Sequence, residues 1–215
     1  MKYRIRFAVA GRARFLSHLE TVDMLLGALR RAGLQIALSR GPKPRPVIAL
    51  AVPRAVGVES EAELADVELE GGGRDPRLLR ERLSGQLPDG VTLIDVAEAA
   101  GKPAASLVRR IGYTVQVADD LDWDAAGRAY AEAAHAVVVR AAPGKADKRV
   151  DVRRSCAGVE HEPGRLAFQI EVSPEGNARP EEVVQAVAAQ VGATPTIGRI
   201  VRTAIALRDP AGVTL

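Results

Sequence analysis

Cysteine is nearly absent from this sequence: of 215 residues only Cys156 carries a thiol. A disulfide within the chain is therefore impossible, and so are a four-cysteine zinc site and a three-cysteine iron–sulfur site. One thiol fits a reducing compartment. Aromatic residues make up 3 % of the chain, so the core has to be aliphatic and the rings on which most ligands stack are scarce. No run approaches the roughly 20 apolar residues that cross a bilayer. The opening MKYRIRFAVAGRARF is broken by charges and does not read as a signal peptide. Also missing are a phosphate-binding Gly-Lys-Ser/Thr loop, GxGxxG, HExxH and GxSxG. These absences predict a cytoplasmic chain with no membrane partner, no metal site and no cofactor of its own.

With 47 % hydrophobic and 27 % charged residues, the composition is that of an ordinary globular protein, long enough for one large or two small domains. The net charge is only +3, but it is unevenly spread. Residues 1–50 hold ten basic groups and two acids, net +8; residues 51–100 hold five basic groups and eleven acids, net −6. Such a split points to an anionic partner at one end, or to two segments that pair with each other.

Tyr3–Val9 alternates apolar and basic residues as a half-buried strand does. Ser17-His18-Leu19-Glu20 is a capping box opening a helix to about Arg31, with Gly33 as its stop and Leu19, Val22, Leu26 and Leu29 as its apolar stripe. Val47–Val52 and Glu63–Glu70 read as strands, the second with Leu64, Val67 and Leu69 inward and a break in phase near Ala65. After the turn Gly71-Gly72-Gly73, Asp75 and Pro76 open a second helix ending near Gly85, and Val91–Val96 is a strand. Gly101–Ser106 reads as a linker. The order then recurs: a strand through Ile111–Val117, an Ala-rich helix from Asp122 or Asp124 to about Val138, strands at Arg149–Arg154 and Arg165–Val172, a helix from Pro180 to Gly192, and a strand at Ile197–Leu207. The expected fold is α+β: two tandem ferredoxin-like (β-α-β-β-α-β) units with antiparallel sheets, residues 1–100 and 107–215. In such a unit the first and third strands are neighbours, so Arg4 and Arg6 are expected to pair with Asp66, Glu68 and Glu70.

Three places carry candidate chemistry. Arg40-Gly41-Pro42-Lys43-Pro44-Arg45-Pro46 is a basic loop whose prolines lower the entropy lost on ordering, which suits backbone phosphates. Arg12, Arg14 and His18 surround the first helix start; His18 falls toward the apolar side of that helix, where a buried, hydrogen-bonded histidine is expected ahead of a general base. Lys148–Arg154 is a second basic stretch in which Asp151 is expected to pair with its strand neighbours. His135 reads as a residue of the Ala-rich helix, His161 as an exposed hairpin tip, and Cys156, despite Arg153 and Arg154 upstream, as a small apolar residue.

The segments Arg14–Glu20, Leu29–Leu34, Ser39–Pro46 and Gly57–Ser60 together resemble the N-terminal signature of the radical SAM-linked protein family. Lys148–Arg153 and Gly198–Thr203 more loosely resemble its C-terminal signature. The resemblance implies a domain of unknown function that occurs beside, or fused to the C-terminus of, a radical SAM protein with a cobalamin-type domain. The iron–sulfur cluster, S-adenosylmethionine and any cobalamin would then sit in that partner. The family usually has Asp where Glu20 stands and Gly-Phe-Asn-Pro-His-Pro where this chain has Gly41–Pro46. Losing that Asn and His weakens a catalytic role for the loop and leaves an electrostatic one.

The expected function is that of an accessory binding protein, not itself an enzyme. It would recognise RNA or another anionic substrate through Arg12, Arg14, His18, Arg30, Arg31, Arg40, Lys43 and Arg45 for a separate radical SAM enzyme. The alternative is a metal-independent endoribonuclease using His18 on a tandem ferredoxin-like fold, an analogy of fold alone.

Overall fold

The computed structural model describes residues 1–208 except 72, 119, 142, 143, 145 and 175. Gly72, centre of the expected triple-glycine turn, and residues 209–215 of the expected second unit lie outside the described residues. The fold is mixed α+β, with mostly antiparallel strands and few helices. The described residues divide into two compact units, Met1–Val108 with Leu207 and Arg208, and Arg109–Ala206. Among the described residues no helix is long and apolar enough to cross a membrane.

In the first unit β1 (Lys2–Val9) leads through a 3-10 turn (Gly11–Phe15) into α1 (His18–Arg31). There follow β2 (Ile48–Leu50), β3 (Glu59–Glu68), α2 (Pro76–Ser84), β4 (Val91–Glu98) and the short α3 (Ala104–Leu107). The strands pair antiparallel in the order β4-β1-β3-β2. Alternation turns Tyr3, Ile5, Phe7 and Val9 of β1 into the core, against Leu25 and Leu29 of α1 and Leu79 and Leu83 of α2. Both helices start where local chemistry dictates. Ser17 Oγ accepts from the Glu20 amide (3.3 Å) and Glu20 Oε2 accepts from the Ser17 amide (2.8 Å), and Asp75 Oδ1 accepts from the Arg77 amide at 2.9 Å.

The opposite face of β1 carries Arg4, directly across from Asp66. Its guanidinium grips that carboxylate with two bonds, 2.7 and 3.1 Å, and Asp66 also accepts from the amide of Ala104 at 2.7 Å, fixing the start of α3. Arg6 does not follow suit, because its cross-strand neighbour is Leu64. That register explains the break in phase: Ala65 and Val67 face the helices beside Ile5 and Tyr3, while Leu64 shares the other face with Asp66.

In the second unit β5 (Val108–Val117), α4 (Trp123–Glu132), β6 (Val137–Arg140), β7 (Lys148–Asp151), β8 (Val159–Glu162), β9 (Arg165–Glu171), α5 (Pro180–Ala189) and β10 (Ile197–Leu207) follow in turn. The sheet order is β10-β5-β9-β8, and β6 and β7 form a separate two-stranded ribbon. The expected strand at Arg149–Arg154 is therefore corrected. It ends at Asp151 and among the described residues pairs only with β6, and the strand beside β9 is β8. Arg153 is drawn out of line, since its guanidinium donates to the carbonyls of Ala131 and Ala133 (both 3.1 Å) at the end of α4 and lies over the Tyr130 ring. A cation at that end satisfies carbonyls the helix leaves free, and α4 stops at Glu132, short of the expected Val138.

His135 consequently lies beyond the helix, where its Nδ1 meets Asp151 Oδ2 at 2.7 Å. Asp151 is held by His135, the Ala136 amide, Arg154 and the backbone of Arg153, rather than by the guanidinium groups of Arg149 and Arg153. His161 is not a hairpin tip; it lies within β8, half-buried, with Nδ1 3.1 Å from Asp124 Oδ1. Arg140 grips Glu182 of α5 with two bonds of 2.6 Å. Burial alone would raise the Glu182 carboxyl, but the hydrogen bond from Arg140, with those from the Arg179 amide and the surrounding positive charge, holds it below its ordinary value.

Candidate anion-binding surfaces

α1 separates the eight candidate residues into two groups. Its start adjoins the end of β1, where Val9 pairs with Ser60. Its finish adjoins the beginning of β1, where Leu69 bonds Met1 and the Glu70 amide bonds Gln35. Fourteen residues rising about 1.5 Å each put these ends roughly 20 Å apart. Arg12, Arg14 and His18 stand at the first end; Arg30, Arg31 and the base of the loop bearing Arg40, Lys43 and Arg45 stand at the second.

At the second end the proline-rich segment is a closed loop. The Ser39 amide bonds the Arg45 carbonyl (2.8 Å), the Arg45 amide bonds Ser39 Oγ (3.0 Å) and the Val47 amide bonds the Ala37 carbonyl (2.9 Å). Arg40, Lys43 and Arg45 are exposed, and among the described residues their side chains make no hydrogen bond or ion pair. Arg30 is likewise exposed. Arg31 is engaged: its guanidinium turns back over Gly27, where a Cβ would lie 3.2 Å from Nη1, and donates to the Gln86 carbonyl at 2.6 Å.

At the first end two buried ionisable residues form a knot. The Arg54 guanidinium, in a residue only 6 % exposed, donates to the carbonyls of Arg14 (2.8 Å), Val58 (2.5 Å) and Leu16 (3.2 Å). Buried Glu59 accepts from the Gly11 amide (3.3 Å) and from Arg14 Nη1 (3.0 Å), and the Gly57 amide bonds the Arg14 carbonyl at 2.9 Å. Two of the sequence segments singled out above, Arg14–Glu20 and Gly57–Ser60, thus meet in space. The knot fixes the 3-10 turn from below and leaves Arg12 exposed and without a side-chain partner among the described residues.

His18 is exposed, contrary to its expected place on the apolar side of the helix. The buried stripe of α1 is Thr21, Leu25, Leu26, Ala28 and Leu29, so the first turn projects past the core and Leu19, expected in the stripe, is 72 % exposed. Sequence reasoning missed Arg54, Glu59 as a buried acceptor, and Phe15. Glu59 and Phe15 had left a signal as members of Gly57–Ser60 and Arg14–Glu20; Arg54 had left none.

The second unit contains a cleft of about 650 Å³ whose lining includes Arg110, Thr114, Gln169 and Thr203. Its cations are largely occupied, Arg110 by Glu171 and Arg154 by Asp151, both at 3.5 Å. Cys156 is fully buried, and burial pushes its thiol up, away from the reactive thiolate.

The model of an uncharacterized protein family conserved in bacteria, DUF2344, matches residues 2–185. The chain belongs to the DUF2344 family. No curated protein matches this DUF2344 chain. Among solved structures it is similar to a chain of a Cbf5-Nop10-Gar1 complex, with 10 % identity and a TM-score of 0.48 over 93 % of this chain and 48 % of that one. The DUF2344 chain thus spans about half the length of that match. It is also similar to an unknown protein from Galdieria sulphuraria, with 14 % identity and a TM-score of 0.31, covering 91 % of this chain and 96 % of that one.

Proposed function

We propose that this DUF2344 protein is a non-catalytic binding protein, acting in the cytoplasm, that recognises RNA or another polyanion and presents it to a separate radical SAM enzyme holding the iron–sulfur cluster, S-adenosylmethionine and any cobalamin. The observation that carries the binding part is the loop at the finish of α1: three exposed cations, none with an internal partner among the described residues, on a segment closed at its base and stiffened by Pro42, Pro44 and Pro46. Cations presented this way lose little entropy when phosphates arrive. Arg4 and Arg14, by contrast, are committed to Asp66 and Glu59 and add little. The radical SAM partner rests on the resemblance of the signature segments. The finer reading of the fold, two ferredoxin-like units, draws support from the β4-β1-β3-β2 order of the first and the β10-β5-β9-β8 order of the second, with the β6–β7 ribbon as an insertion.

A salt titration of RNA binding tests the proposal. Each single-strand phosphate neutralised contributes about 0.7 to the slope of log K against log salt, so replacing Arg40, Lys43 and Arg45 together by Ala should flatten that slope by about 2. Absence of binding at low salt refutes the reading, and an unchanged slope removes the loop from it. Capture of the tagged protein from its native host should bring down a radical SAM protein; its reproducible absence refutes the accessory role.

A further inference from the structure

The chain has seven aromatic side chains. Six of them, Tyr3, Phe7, Tyr113, Trp123, Tyr130 and Phe168, are at most 7 % exposed, whereas Phe15 is 56 % exposed. Burying a phenylalanine stabilises a fold, so a protein this poor in rings forgoes a sizeable contribution by leaving one in water. The ring is not loose. Arg14 lays its guanidinium 4.8 Å from the ring centroid, and that guanidinium is tied to buried Glu59. One side of the ring is thus backed by a cation, and exposed Arg12 and His18 flank it in the chain.

We infer that Phe15 is a stacking platform for an unpaired base, so that the RNA recognised at this end is single-stranded. This rests on the reading above that the protein binds RNA. An aromatic ring backed by a fixed guanidinium, with exposed Arg12 beside it, is what a base attached to phosphates requires: π-stacking for the base and positive charge for its backbone. A duplex hides its base faces and offers Phe15 nothing to stack on. Exposed Arg12, with no side-chain partner among the described residues, favours a polyanion over a neutral protein surface.

The test is fluorescence anisotropy with an unstructured RNA of about 12 nucleotides and the same RNA annealed to its complement, using the full chain and the variants Phe15→Ala, Phe15→Leu and Phe15→Tyr. Because Phe15 is exposed, all three should melt with the parent. Stacking predicts that Phe15→Ala and Phe15→Leu lose about 5- to 150-fold in affinity for the single strand, that Phe15→Tyr keeps it, and that duplex affinity does not change. Salt-dependent RNA binding that Phe15→Leu preserves, or that falls equally for both RNAs, overturns the platform and leaves the binding reading standing. No binding of either RNA at low salt overturns both. Parent self-association that Phe15→Ala abolishes, with RNA affinity unchanged, makes this surface a protein interface and refutes the inference.

Discussion

Replacing Arg54 by Met keeps most of the aliphatic stem and removes the guanidinium. Three carbonyls, those of Arg14, Leu16 and Val58, then lose a charged donor, and buried Glu59 is left in a less positive setting. A hydrogen bond to a charged group contributes about 1.5–3 kcal/mol. The three share one side chain, and water can reach the half-buried Arg14 and Leu16, so the sum is not additive; a loss of about 3–5 kcal/mol is expected. Against a total stability of about 5–15 kcal/mol for a typical domain this is severe. Urea melts of Arg54→Met, with exposed Arg12→Met as a control expected to lie within about 0.5 kcal/mol of the parent, measure it. Hydrogen exchange adds a local readout: the Gly57 amide, bonded to the Arg14 carbonyl, should lose protection. If Arg54→Met melts with the control and Gly57 stays protected, the knot does not hold the 3-10 turn and the reasoning fails.

Ser17→Ala removes one side of the capping box and should cost about 0.5–2 kcal/mol in a urea melt; equal stability would show that Glu20 caps α1 unaided. The Glu182 carboxyl sits below its ordinary value of 4.5, so its stabilising contribution is complete above that value and is lost as pH falls through the lower folded one. Melting temperature should therefore drop on acidification below about pH 4.5, and Glu182→Gln should be less stable at neutral pH with a shallower acid drop; parallel acid profiles would refute the assignment. His18→Ala should leave the melting temperature unchanged, because the side chain is exposed, and should reduce RNA affinity only modestly. Metal-free RNA cleavage by the parent that vanishes in His18→Ala and His18→Gln would instead make this an enzyme, since an acid–base group contributes about 10²–10⁴-fold to rate.

The helices were legible because their starts are written in adjacent residues: Ser17 with Glu20, Asp75 with Pro76, Asp122 before Trp123. The pairing of Arg4 with Asp66 was legible from alternation and strand adjacency. The second strand of the second unit was not. Lys148–Asp151 and Val159–Glu162 both have strand-like composition, and the choice was made by the Glu162–Arg165 turn with Gly164 at a φ of 75°, which joins β8 to β9. Likewise the knot of Arg54 and Glu59 joins residues some forty positions from Arg14, a distance over which periodicity carries nothing. Phe15 was overlooked because exposure of a ring is a property of the packed molecule; in the sequence it is one more apolar residue before a helix.

On the proposed reading, in which single-stranded RNA binds, the separation of the two ends by the length of α1 would make the first unit a ruler. A strand too short to reach from Phe15 to the loop of Arg40 engages one end at a time, and its affinity is that of the better end. Once the strand is long enough, the second contact becomes intramolecular at an effective concentration of order millimolar, and avidity sets in as a step with length rather than a gradual climb. The rigidity of a helix packed on a sheet keeps that step sharp, so the length at which affinity jumps reports the spacing of the two ends.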